Sequence, residues 1–96
     1  MARVVVSSAA EADYAEAFRW YAERSIRTAQ RFETEFAGAL EAIASDPQRF
    51  PRCDTRHRYY LMGRFPFQVV FRFHDEDVVV IAVAHTKRKP MYWAGR

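Results

Sequence analysis

The residues best suited to chemistry crowd into positions 85 to 93. His85 is followed by Lys87, Arg88 and Lys89, and then by Tyr92 and Trp93. An imidazole moves protons near neutrality, a run of cations holds phosphate or carboxylate, and two aromatic rings can stack on bases. Such a set suits either of two tasks. Cleaving RNA through its 2'-hydroxyl needs a base, an acid and cations converging on one phosphate. Gripping an anionic surface needs the cations alone. His85 is the best base candidate, with Arg88 and Tyr92 as the other catalytic candidates. Against that stands a structural His85 that bonds a backbone carbonyl or ties down the Tyr92-Trp93 segment. Aromatics near a chain end are more simply read as anchors packed on a helix than as base-stacking platforms.

A second set lies upstream. Arg58, Arg64 and Arg72 carry guanidinium forks that fit phosphate or the carboxylates of an acidic protein segment. Each can equally rest its stem on a neighbouring aromatic and point outward. Gln68 shares a strand face with Val70 and Arg72, which makes that face part polar. His57 at a loop edge and His74 in a turn read as solvated. Cys53 lies between Arg52 and Arg56, which would lower its thiol pKa, but no base accompanies it and it reads as incidental. No histidine pair or Cys/His cluster has metal-ligand spacing, so neither a metal nor another cofactor is expected.

These residues need elements to position them. Phe67 to Phe73 alternates Phe67, Val69, Phe71 and Phe73 with Gln68, Val70 and Arg72, the period of a half-buried strand. Val78 to Ala84 is apolar throughout, as in a strand buried on both faces. His74 to Asp77 supplies the turn between them, so the two form an antiparallel hairpin, and His85 to Lys89 leaves its end. Upstream, Arg3 to Ser7 reads as a short strand, and Ser8 with Glu11 forms a capping box that opens a helix. Tyr14, Ala17, Phe18 and Tyr21 give that helix one apolar stripe. Ser25 caps a second helix, striped by Ala29, Phe32, Phe36, Leu40 and Ile43 and stopped by Pro47. Residues 46 to 57 form a loop pinned by Phe50, and His57 to Met62 a further strand. The expected fold is α+β, of order β-α-α-β-β-β: a two-helix antiparallel hairpin packed on one face of a small antiparallel β-sheet. Two helices cannot cover both faces. The second face is expected to need a partner chain, a dimer mate or polar decoration.

The chain has 96 residues, enough for one domain spanning 1–96 with a modest core and no separate cofactor domain. Half of its residues are hydrophobic and 16% aromatic, which excludes a disordered chain. One cysteine permits no internal disulfide, and the N-terminal apolar run is far shorter than a signal or a membrane span, which fits a cytoplasmic protein with no membrane association. Residues 1–46 carry five arginines against eight acids, whereas residues 47–96 carry ten basic residues against four acids. The second half therefore suits an anionic partner, nucleic acid or acidic protein.

Taken together, the Phe32 to Ile43 stripe, the Pro47-Gln48-Arg49-Phe50-Pro51 loop, Arg58 entering a strand, Gly63-Arg64-Phe65-Pro66-Phe67 before Val69-Val70-Phe71-Arg72, and Ile81 to His85 before Arg88-Lys89-Pro90-Met91-Tyr92-Trp93 have a family's order and spacing. The chain resembles the RelE/ParE superfamily of type II toxin-antitoxin toxins, on the ParE-like side. The resemblance implies a bacterial toxin silenced by a cognate antitoxin that wraps around it, with which it would form a hetero-oligomer. It also implies one of two targets. ParE-like members inhibit DNA gyrase by binding, whereas RelE-like members cut mRNA on the ribosome. In RelE-like enzymes an arginine stands on the strand after the Gly-aromatic turn, where this chain has Gln68, and the RelE-like basic tail is matched only loosely by Lys87, Arg88 and Tyr92. The expectation is therefore a gyrase-binding toxin contacting its target or antitoxin through Arg58, Arg64, Gln68, Arg72, His85, Lys87, Arg88, Lys89, Tyr92 and Trp93. A ribosome-dependent endoribonuclease and a non-toxic basic nucleic-acid-binding module are the alternatives.

Overall fold

A computed structural model describes residues 1–88 and 90–96. In chain order the elements are β1 (Val4–Val6), α1 (Ser8–Ala22), α2 (Ile26–Ser45), a 3-10 turn (Pro47–Arg49), β2 (His57–Leu61), β3 (Phe67–His74) and β4 (Asp77–His85). The order β-α-α-β-β-β is the expected one.

The start of α1 differs from the expected capping box by one residue. Ser7, not Ser8, is the cap, and its Oγ accepts the Ala10 amide at 3.1 Å. Ser25 caps α2 as expected, accepting from the Thr28 amide at 3.2 Å. α2 stops at Ser45 because Pro47 has no amide to continue the ladder. Asp75, in the two-residue turn of the β3–β4 hairpin, has φ 55°, a left-handed conformation that a short polar side chain tolerates.

The sheet runs β1-β4-β3-β2, with β4 in its interior. β2, β3 and β4 are antiparallel neighbours, but β1 runs parallel to β4, so the sheet is mixed rather than wholly antiparallel. The two-helix crossover between β1 and the later strands is long enough to return the chain in that sense. The outer edge of β2 is sealed by the preceding loop: the Cys53 amide donates to the His57 carbonyl and the Tyr59 amide to the Pro51 carbonyl. Besides leading the chain into β2, that loop protects an edge strand from pairing with another chain.

Phe32 of α2 is fully buried at the centre of an aromatic core, with the rings of Tyr14, Tyr21, Phe65 and Phe67 at 5.2 to 5.4 Å. A bulge breaks the β3–β4 ladder. Val70 pairs with Ala82 and Phe71 with Val80, which leaves Ile81 unpaired. As a result Ile81 and Ala82 both face away from the helices, while Val83 returns to the helix side. The shift also turns His85 toward that side, edge-on to the Phe67 ring at 5.1 Å.

The second face of the sheet is not left open. Trp93, 2% exposed, lies on Val70, Ile81, Ala82 and Ala84, with Cys53, Tyr59, Val79 and Tyr92 around them. Trp93 is thus an anchor as expected, but it packs on the sheet rather than on a helix. The chain folds its own tail over the face that seemed to need a partner.

Candidate functional site

The tail leaves β4 in a tight turn whose hydrogen bonds converge on His85. The Lys87 amide donates to His85 Nδ1 at 3.1 Å, and the Arg88 amide to the His85 carbonyl at 3.0 Å. The Thr86 amide donates to the Pro66 carbonyl, which fixes the turn to the start of β3. Nδ1 therefore accepts, and the ring proton sits on Nε2. Lys87 and Arg88 emerge exposed at the lip of a cleft of about 610 Å³. Trp20 and Tyr21 of α1 form one wall, and Phe67, Val83 and His85 the other. Trp20 is 52% exposed, with the Arg24 guanidinium 3.6 Å above its ring.

Asp13 holds this arrangement together. Its carboxylate, only 9% exposed, accepts from the Val83 amide (3.1 Å), the Tyr92 hydroxyl (3.2 Å) and both terminal nitrogens of Arg96 (2.7 and 3.3 Å). Arg96 also donates to the Ile81 carbonyl at 3.1 Å. β1 ends at Val6, opposite Val80, so the next stretch of β4 has no strand beside it. Asp13 and Arg96 take its free amide and carbonyl in place of a strand. Arg88 and Arg96 lie over the Tyr92 ring at 4.6 and 5.1 Å, which joins the phenol to the same assembly. Burial, and then the negative charge of Asp13, push the Tyr92 phenol above its ordinary pKa. A phenol so shifted is a poorer proton donor, which counts against Tyr92 as a general acid.

Asp13 and Arg96 were missed in the sequence. The signal for Asp13 was present: it sits within the stripe that includes Ala10, Ala17 and Tyr21, where a carboxylate has to find partners.

Of the other residues singled out from the sequence, Gln68 meets the tail on the second face, where it is half-buried and lines a small cavity of about 300 Å³ shared with His85, Arg88, Tyr92 and Trp93; the rest do not gather here. Arg58 donates to the Phe50 carbonyl at 2.7 Å and so staples the loop to β2. Arg72 is half-buried on the second face, opposite Val79, and its Nε is buried without a partner. Arg64 opens onto a separate cleft beside α2. Lys89 lies outside the described residues. Trp93 is buried and offers no ring to a base.

One sequence reading is reversed, and Cys53 stays incidental. His57, read as solvated, is 4% exposed: Nδ1 sits 2.9 Å from both carboxylate oxygens of Asp54, and the ring meets Trp93 edge-on at 4.9 Å. Burial pushes the Cys53 thiol up, and the charge of Asp54 adds to this, so Arg52 and Arg56 do not activate it.

Three comparisons bear on this geometry. The family described as "ParE toxin of type II toxin-antitoxin system, parDE" matches residues 4–90. Toxin ParE2 of Mycobacterium tuberculosis is 28% identical over 89 residues, covering 92% of this chain and 85% of that protein, in both strain H37Rv and strain CDC 1551 / Oshkosh. A solved structure titled "Chromosomal ParDE TA system from P. aeruginosa" superposes with a TM-score of 0.77 over 91% of this chain and 98% of that one, and at 15% identity it speaks for the fold alone.

Proposed function

The chain belongs to the ParE toxin family of type II toxin-antitoxin systems, with a cognate antitoxin as its partner, and from that premise we propose that it acts by binding DNA gyrase rather than by cutting RNA. Residues 1–96 act as one toxin domain in the cytoplasm. The observation that carries the reading is the local chemistry around His85. Its Nδ1 accepts the Lys87 amide, the nearby Asp13 carboxylate is saturated by three donor groups, and Tyr92 donates to that carboxylate with a raised pKa. Among the described residues, Asp13 and Tyr92 are thus engaged with each other rather than presented as an acid and base across one phosphate, the arrangement that cleavage requires. Gln68, where the nuclease branch has an arginine, points the same way. What remains is a recognition surface: exposed cations at the lip of a cleft with aromatic and aliphatic walls. Such a surface suits an acidic protein segment that also carries apolar anchors, and the same features serve target and antitoxin.

The test runs two reactions in parallel with purified toxin: ribosomes with mRNA, and gyrase with plasmid. Inhibited supercoiling with intact message is expected, reversed by the antitoxin. Message cut at A-site codons would reject the binding mechanism.

A further inference from the structure

A second cationic surface stands apart from the tail. Arg27 and Arg31 lie one turn apart on α2, and Arg64 reaches toward them from the β2–β3 connection, across a concavity of about 550 Å³ that also takes in Tyr60 and Thr34. Glu35 is the one carboxylate on this lining, and its Oε1 faces the Arg64 amide at 3.4 Å. Among the described residues, none of the three guanidiniums is within ion-pair distance of a carboxylate. Arg27 and Arg31 are both exposed.

Their position works against the helix. α2 has no acidic residue in its first turn, where the macrodipole would favour one, and has arginines in its first two turns instead. Cations there repel the positive end of the dipole and one another, so folding gains nothing from them. Their combined field favours an anion.

Guanidinium forks fit phosphate and carboxylate alike. Two features favour a phosphate backbone. The Cβ atoms of arginines at i and i+4 stand about 5–6 Å apart, so their long side chains can reach successive phosphates along one strand, and the third comes from a different element across an open cleft that an extended chain of charges can follow. We propose that Arg27, Arg31 and Arg64 form a nucleic-acid phosphate-binding cleft, without base readout, on a surface separate from the tail. This goes beyond the toxin reading and does not depend on which target the toxin inhibits.

The test is fluorescence anisotropy of a short labelled DNA duplex of arbitrary sequence, titrated with the full chain at several salt concentrations. Wild type should bind with strong salt dependence. The Arg27→Gln/Arg31→Gln/Arg64→Gln protein should bind about tenfold or more weakly at low salt, with a slope of log affinity against log salt shallower by about 2 to 3. Its Tm should equal or exceed that of wild type. The corresponding triple Lys protein should keep most of the slope, because charge rather than fork geometry dominates it. Unchanged affinity and slope in the Gln protein would overturn the proposal. So would loss of binding in Lys87→Ala/Arg88→Ala with the Gln protein unaffected, or wild type that ignores the duplex and binds an acidic peptide instead.

Discussion

Single side chains carry unequal shares of this small fold. Asp13 is a nearly buried carboxylate whose cost is offset by the Val83 amide, Tyr92 and Arg96. Removing its charge would leave Arg96 unpaired against the sheet, so Asp13→Asn should lower stability by about 2 kcal/mol. Urea denaturation monitored by tryptophan fluorescence measures this, and an unchanged midpoint would show the ion pair to be ornamental. Trp93 covers four residues of the second face, and Trp93→Ala should cost about 3 kcal/mol by exposing them. Asp54 contributes to the acid limb. Desolvation alone would raise its pKa, but the amides of Arg56 and His57 and the His57 ring outweigh that and hold the carboxyl below its usual range. A depressed folded pKa means that its contribution is complete above the unfolded value of about 4 and is lost as pH falls through the lower folded value. Stability should therefore decline below about pH 4, and Asp54→Asn should flatten that decline. An acid limb identical to wild type would place the acid-labile group elsewhere.

At the scale of elements, hydrophobic period decided what could be read. β3 alternates strictly and was legible, with its polar Gln68 and Arg72 on one face. β4 is apolar throughout, so its burial was legible but its bulge was not: nothing in a run of Val, Ile and Ala marks which residue will go unpaired. That bulge decides the side to which His85 turns. The parallel pairing of β1 was likewise hidden, because three valines pair equally well in either sense. His57 was misread because the indole that helps to bury it lies 36 positions away in the tail, a separation that conceals it, although its carboxylate partner Asp54 is only three positions away. The cations at positions 87 and 88 were legible as charge, and the turn that presents them follows from the end of β4. Lys87→Ala with Arg88→Ala should abolish growth arrest while moving Tm by no more than a few degrees, since exposed charges contribute little to stability. A collapse of the folded state would instead make them structural.

In the molecule as a whole, one segment has two duties. The tail closes the second face through Trp93 and presents the cleft's cations through Lys87 and Arg88, and both depend on the fastening of Tyr92 and Arg96 to Asp13 on α1. If the tail cations meet the target as proposed, core packing and target recognition are coupled through a few polar contacts. Unfastening the tail while sparing Trp93 separates the two duties. Tyr92→Phe with Arg96→Ala should leave the far-UV spectrum and the aromatic core around Phe32 intact, because neither side chain reaches that core. It should nevertheless weaken growth arrest by about tenfold or more, since cations on an unfastened tail must be ordered on binding, at about 0.5–1.5 kcal/mol per immobilised side chain in addition to the backbone. An antitoxin that binds the folded chain and not the unfolded one should raise the variant's Tm by mass action, steadily with antitoxin concentration. Growth arrest at wild-type strength would mean that the cations need no fastening, and the link between fold and function would then run through the cleft walls alone.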